Sequence, residues 1–94
     1  MAIERTDCIQ RVDHVAVLVG EREVAVMHVE QGAYYGLNEV ASRVWELTCD
    51  QITFAALCEQ LMREYEIDAE RCVRDVAQCV EQMAAQGLVR VVSG

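Results

Sequence analysis

Five cysteines, two histidines and one serine in an ordered-looking stretch, Ser42, are the side chains best equipped for chemistry in this sequence. The cysteines stand at positions 8, 49, 58, 72 and 79, and none of their spacings is CxxC. Cys72 and Cys79 are seven residues apart, two turns of one helix. A zinc or thiol-redox site needs ligands that converge from short spacings, and only His14 and His28 are available to assist. The cysteines therefore read as buried thiols that act as small hydrophobes. An odd number cannot all pair within one chain, which fits a reducing compartment. No histidine sits in a nucleophile context with Ser42, and no glycine-rich phosphate loop occurs. Glu64, Glu66, Glu70 and Asp75 read as solvated charges on helix faces or at caps. The expectation is a protein without catalysis, metal or cofactor.

These residues must be held by a small scaffold. Ninety-four residues make one domain (1–94, core about 14–92), and a hydrophobic fraction of 53% favours folding over disorder. Proline is absent and glycine scarce, so no linker or second domain is visible. The N-terminus has no basic region followed by an apolar run, and no apolar stretch approaches the ~18 residues of a membrane span. The expected location is cytoplasmic. A net charge of −8 argues against nucleic acid as partner, since that affinity comes from clustered Lys and Arg.

"HVAVLV" (His14 to Val19) and "VAVMHV" (Val24 to Val29) read as β-branched strands joined by the turn "GERE". "EQG" then leads into a third short strand, "AYYGL". Alternation in the second strand puts Ala25, Met27 and Val29 on one face and His28 on the other, solvated one. Asn38, Thr53 and Asp68 each precede helical periodicity and serve as N-caps, and Gly87 closes the third helix. "LVRVV" is a final strand. The fold class is α+β, with a three-stranded antiparallel sheet followed by three helices in a winged helix-turn-helix-like arrangement.

Helix three carries apolar residues across roughly 160° of its circumference, against a stripe of about 100° or somewhat more for a helix on one core. Cys72, Val76, Cys79 and Met83 form one edge; Val73, Ala77, Val80 and Ala84 form the other. "AYYGL" lacks the lysine or proline that discourages edge pairing. An open strand edge beside an apolar helix is a receptor for an extended peptide, bound through its backbone. If Tyr35 and Leu37 point inward, Tyr34 points out and flanks the incoming chain.

"GAYYGLNEVASRVWEL", followed by "ITFAALCEQLMREYEIDAERCVRDVAQCVEQMAAQGLV", resembles the PqqD-like proteins, also called RiPP recognition elements. The specific parts are the tyrosine-glycine-leucine-asparagine step, the tryptophan of helix one, the "EYEID" join and the "QGLV" ending. The five cysteines and "CDQIT" depart from the usual pattern. The resemblance implies a non-catalytic module that captures the leader of a ribosomally made precursor peptide and presents it to tailoring enzymes. It implies a strand wall of Ala33, Tyr34 and Tyr35. It also implies a helix wall of Val73, Val76, Ala77 and Val80, with Arg74 at the rim and the choice of helix edge open. On that basis Tyr34→Ala and Val76→Glu weaken binding and spare the fold. "YYGLN" in a free-standing chain is most similar to the leader-binding proteins of lasso-peptide clusters. There the partners are a leader peptidase and an ATP-dependent macrolactam synthetase.

Three alternatives stand beside this reading. One is a PqqD-type peptide chaperone for a radical-SAM enzyme. Another is a winged-helix transcription regulator, although helix three sets Arg71 and Arg74 against Glu70, Asp75 and Glu81. The third is a homodimer closed by pairing of the open strand with its own copy.

Overall fold

Short alternating strands build the first half of the chain, and capped amphipathic helices build most of the second. The computed structural model describes residues 3–13, 15–19 and 24–93. In chain order the elements are β1 (Cys8–Arg11), β2 (Val15–Val19), β3 (Val24–His28), β4 (Ala33–Leu37), α1 (Glu39–Leu47), β5 (Ile52–Thr53), α2 (Phe54–Tyr65), α3 (Ala69–Ala85) and β6 (Val89–Val92). The turn expected at residues 20–23, and His14, lie outside the described residues.

The expected meander is β2-β3-β4, antiparallel throughout. Between β3 and β4 the Gly32 N–H donates to the His28 carbonyl at 2.8 Å, with Gly32 at φ 66°. A residue with a Cβ is strained in that left-handed conformation. The face of β3 that enters the core carries Val24, Val26 and His28, while Ala25 and Met27 are half-buried on the other. This corrects the expected solvation of His28, which is 9% exposed. Its Nδ1 accepts the Gln31 N–H at 3.3 Å, and a Cβ placed on Gly87 would come within 3.2 Å of its Nε2. The polar ring is tolerated inside because a donor meets it there.

A second antiparallel sheet, ordered β5-β1-β6, adds to the expected architecture. Its central strand pairs Ile9 with Ile52 on one side and with Val91 on the other. Ile9 is fully buried, so the core begins upstream of the expected boundary near residue 14. Burying such a side chain contributes about 1.5–3 kcal/mol.

The helices start where local chemistry places them. Asn38 Oδ1 accepts the Ala41 N–H at 2.8 Å, Thr53 Oγ1 that of Ala56 at 3.2 Å, and Asp68 Oδ1 that of Arg71 at 2.9 Å. Each cap satisfies a donor that the first helical turn leaves free. At the end of α3, Gly87 (φ 77°) donates to the Ala84 carbonyl at 3.0 Å and Leu88 to that of Met83 at 2.9 Å. This is a Schellman motif, with Leu88 driven into the core behind it. Phe54, Leu57 and Leu61 of α2 meet Val76 and Val80 of α3 in the same buried cluster. Trp45 of α1 is 2% exposed, and the Arg11 guanidinium lies 5.1 Å from its ring centre. Among the described residues no helix is long and apolar enough to cross a membrane.

Candidate functional site

β4 is an edge strand with both ends pinned. The Gly32 turn starts it, and Ser42 fixes its far end. The Ser42 hydroxyl donates to the Leu37 carbonyl at 3.1 Å and accepts the Val24 N–H at 3.2 Å. Val24 and Leu37 face each other across β3 and β4, so one buried hydroxyl ties the end of that ladder to α1. The serine weighed above as a nucleophile is thus held as a staple between three elements.

Alternation along β4 sends Tyr35 and Leu37 toward the core and leaves Tyr34 64% exposed. The Tyr35 hydroxyl donates to Gln31 Oε1 at 3.1 Å. On the side away from β3, no strand among the described residues pairs with β4. Its outward N–H and C=O groups are therefore open to another chain.

α3 forms the opposite wall of a groove beside this edge, running in the opposite sense. Gly87, just past the end of α3, abuts His28, which pairs with Ala33 at the start of β4. Asp75 and Cys79 lie instead beside Asn38 and Ala41, just past the end of β4. The groove encloses about 360 Å³ between Gly36, Leu37, Asn38 and Ala41 on one side and Asp75, Gln78, Cys79, Gln82, Met83 and Gln86 on the other. An inner cavity of about 230 Å³ adjoins it, lined by Val40, Leu61, Ile67, Cys72 and Val76.

Asp75 is the sole charged side chain among the described residues of both linings. Arg71 and Arg74 approach it at 3.5 and 3.8 Å, exposed pairs that contribute little to stability. Cys79 lies between the two cavities with its Sγ 3.7 Å from Met83 Sδ, and burial pushes its thiol up. Behind it, the Cys72 thiol donates to the Cys58 carbonyl at 3.6 Å. Burial first, and the neighbouring Cys72 second, push the Cys58 thiol up to about 12. Such thiols stay protonated and serve as packing groups. Among the described residues no group of three or more metal-ligating side chains comes together.

The residues assigned to the site from sequence fall in different places. Ala33, Tyr34 and Tyr35 all lie on β4, but the residues of that strand that line the groove are Gly36 and Leu37. The four apolar positions assigned to the helix wall do not line the groove. Val76 and Val80 are core residues, 2% and 0% exposed, and Val76 reaches only the inner cavity. Ala77 is half-buried against the core. Val73 is 43% exposed, yet it opens onto a separate cavity of about 310 Å³ with Phe54, Cys58 and Met62. Arg74 is exposed beside Asp75. Ranking helix edges by apolar character missed Gln78, Gln82 and Gln86. Their signal was three neutral amides at i, i+4 and i+8, two on α3 and the third at its C-cap, on a helix whose earlier exposed positions are mostly charged.

A family model described as coenzyme PQQ synthesis protein D matches residues 23–89 of the chain. The chain belongs to the PqqD family. The match runs from the β2–β3 connection to the start of β6 and so includes both walls of the groove. Two solved structures share the fold. A structure of TbiB1 in complex with the TbiA(beta) leader peptide is 26% identical, with a TM-score of 0.79, and the alignment covers 86% of this chain and 94% of that one. A lasso peptide synthetase B1 complexed with the leader peptide is 21% identical, with a TM-score of 0.76, covering 87% and 96%. No curated protein matches the chain.

Proposed function

We propose that this chain is a non-catalytic leader-peptide-binding protein of lasso-peptide maturation. It takes up the leader of a ribosomally made precursor as an added strand on β4, holds it against α3, and presents the rest of the precursor to tailoring enzymes. The observation that carries this reading is the unpaired edge of β4 facing a groove walled by α3. Backbone hydrogen bonds to such an edge supply affinity, and pockets along the groove supply selectivity. Likeness to two proteins solved with leader peptides supports the same occupant. A leader peptidase and an ATP-dependent macrolactam synthetase are the enzymes such a complex would serve.

In this proposal the strand wall is Ala33, Tyr34 and Tyr35, and the helix wall is the Gln78, Cys79, Gln82 and Met83 face of α3. Tyr34 stands out as the exposed aromatic beside the edge. The description of the family favours one alternative, a peptide chaperone in pyrroloquinoline quinone synthesis, which also binds a peptide and differs in its client.

The test is an anisotropy titration of a fluorescently labelled leader from the precursor gene beside this one. Saturable binding at micromolar or tighter concentrations, abolished by scrambling the leader, is expected. Tyr34→Ala weakens it about tenfold, the ~1.4 kcal/mol of one aromatic contact, with an unchanged circular dichroism spectrum. A folded sample that binds no leader refutes the proposal.

A further inference from the structure

A strand added to β4 satisfies only one edge of the incoming peptide. The other edge, with its own N–H and C=O groups, faces α3 across the groove. We infer that Gln78, Gln82 and Gln86 form an amide ladder that hydrogen-bonds this second backbone edge, so that the peptide is held as if between two strands. This rests on the leader-binding reading above.

The spacing supports the assignment. Residues four apart on a helix are separated by about 6.0 Å along its axis. Along one edge of a strand the backbone groups repeat every second residue, about 6.6–6.8 Å. Successive amides thus meet successive backbone groups over the two steps from Gln78 to Gln86 with little mismatch. The lengths agree as well: Gln78 to Gln86 covers about 12 Å of helix, and a five-residue strand such as β4 covers about 14 Å between its end residues.

The chemistry fits the same role. A glutamine side chain offers a carbonyl acceptor and two N–H donors, so it answers either backbone group. It does this without a charge, and desolvating an amide costs far less than desolvating an ion. The exposed positions nearer the start of α3 include Glu70, Arg71, Arg74 and Asp75, whereas the groove wall beyond Asp75 carries no charge. Among the described residues none of the three amides has a hydrogen-bond partner. Gln31 and Gln60, in contrast, are engaged by Tyr35 and Glu64. Gln78 and Gln82 are exposed and Gln86 is half-buried, so the ladder is open to a ligand.

The ligand class that follows is an extended segment with a free N–H at alternate positions along its α3-facing edge. Side-chain identity at those positions is read elsewhere in the groove. Backbone N-methylation of the labelled leader, one residue at a time, tests this against the wild-type protein and a Gln78→Leu/Gln82→Leu variant. Wild type should lose affinity for two sets of N-methylated peptides, one set facing β4 and one facing α3. The variant should bind the unmodified leader about tenfold more weakly, lose nothing further from N-methyl groups opposite positions 78 and 82, and still be weakened by the β4-facing set and by the N-methyl group opposite Gln86. Unchanged affinity of the variant overturns the ladder while leaving the leader-binding reading intact. So does an equal penalty from every N-methyl group in both proteins. If wild type binds no leader at all, the leader-binding reading fails and the ladder falls with it.

Discussion

Replacing Ser42 by alanine removes one oxygen atom and disconnects three elements. The hydroxyl is 6% exposed as part of its residue and serves both the Leu37 carbonyl and the Val24 N–H. Losing it leaves a buried acceptor and a buried donor at the end of the β3–β4 ladder, in a place that water does not freely reach. An unsatisfied buried group costs about 1–3 kcal/mol, and two neighbouring groups that relax together cost about 2–4 kcal/mol. For a domain of this size each kcal/mol lowers Tm by about 4–8 °C, so the variant should melt roughly 8–32 °C lower. Urea unfolding followed by the fluorescence of Trp45, the single tryptophan, measures the difference directly. Ser42→Thr keeps the hydroxyl and should recover much of the loss. A Ser42→Ala midpoint equivalent to less than about 0.5 kcal/mol, the range of an ordinary surface change, would refute the staple.

Three further outcomes follow from the packing. Val76→Glu, which the sequence reading expected to spare the fold, places a carboxylate at a site 2% exposed and should abolish the cooperative unfolding transition. Hydrogen bonds from the Arg43 guanidinium, and secondarily from Gln60, hold the Glu64 carboxyl down to about 2 from an ordinary value of 4.5. Because the folded value is the lower one, this stabilisation is complete above pH 4.5 and fades as pH falls toward 2. The pair is a quarter to a third exposed, so it contributes no more than about 1 kcal/mol, read as a gap in urea midpoint between wild type and Glu64→Gln that closes with acid. A thiol reagent at pH 8 should label exposed Cys49 quickly and reach buried Cys58 and Cys72 only after unfolding, as mass spectrometry of the digested protein would show.

The parts of this fold legible in sequence are those that local chemistry decides. Asn38, Thr53, Asp68 and Gly87 act on backbone groups within four residues of themselves, and all four sit where their types predicted. What distant contacts decide was not legible. β1 offers one fully buried residue, Ile9, and β5 is two residues long, so neither has enough pattern to stand out until they pair. His28 was placed outside because the other face of β3, Ala25 and Met27, is also apolar, which deprives alternation of its polarity signal. Its burial depends on Gly87, almost sixty residues away. The groove wall was legible only in part. Of the two apolar edges of α3, the one with Cys79 and Met83 reaches the groove, whereas the amides beside them carry no apolar signal.

The unguarded edge of β4 has a consequence for the supply of the protein itself. Backbone groups open to a leader are open to any strand, a second copy of the chain included, and five edge residues without lysine, proline or bulge do nothing to refuse it. Occupancy and solubility are then governed together. If the proposed function holds, each bound leader would remove one sticky edge from circulation and stabilise the folded chain by mass action. A cell that made the receptor ahead of its precursor would accumulate exposed edges, whereas synthesis in step keeps them shielded. In heterologous production the precursor leader would therefore work as a solubilising partner as well as a client.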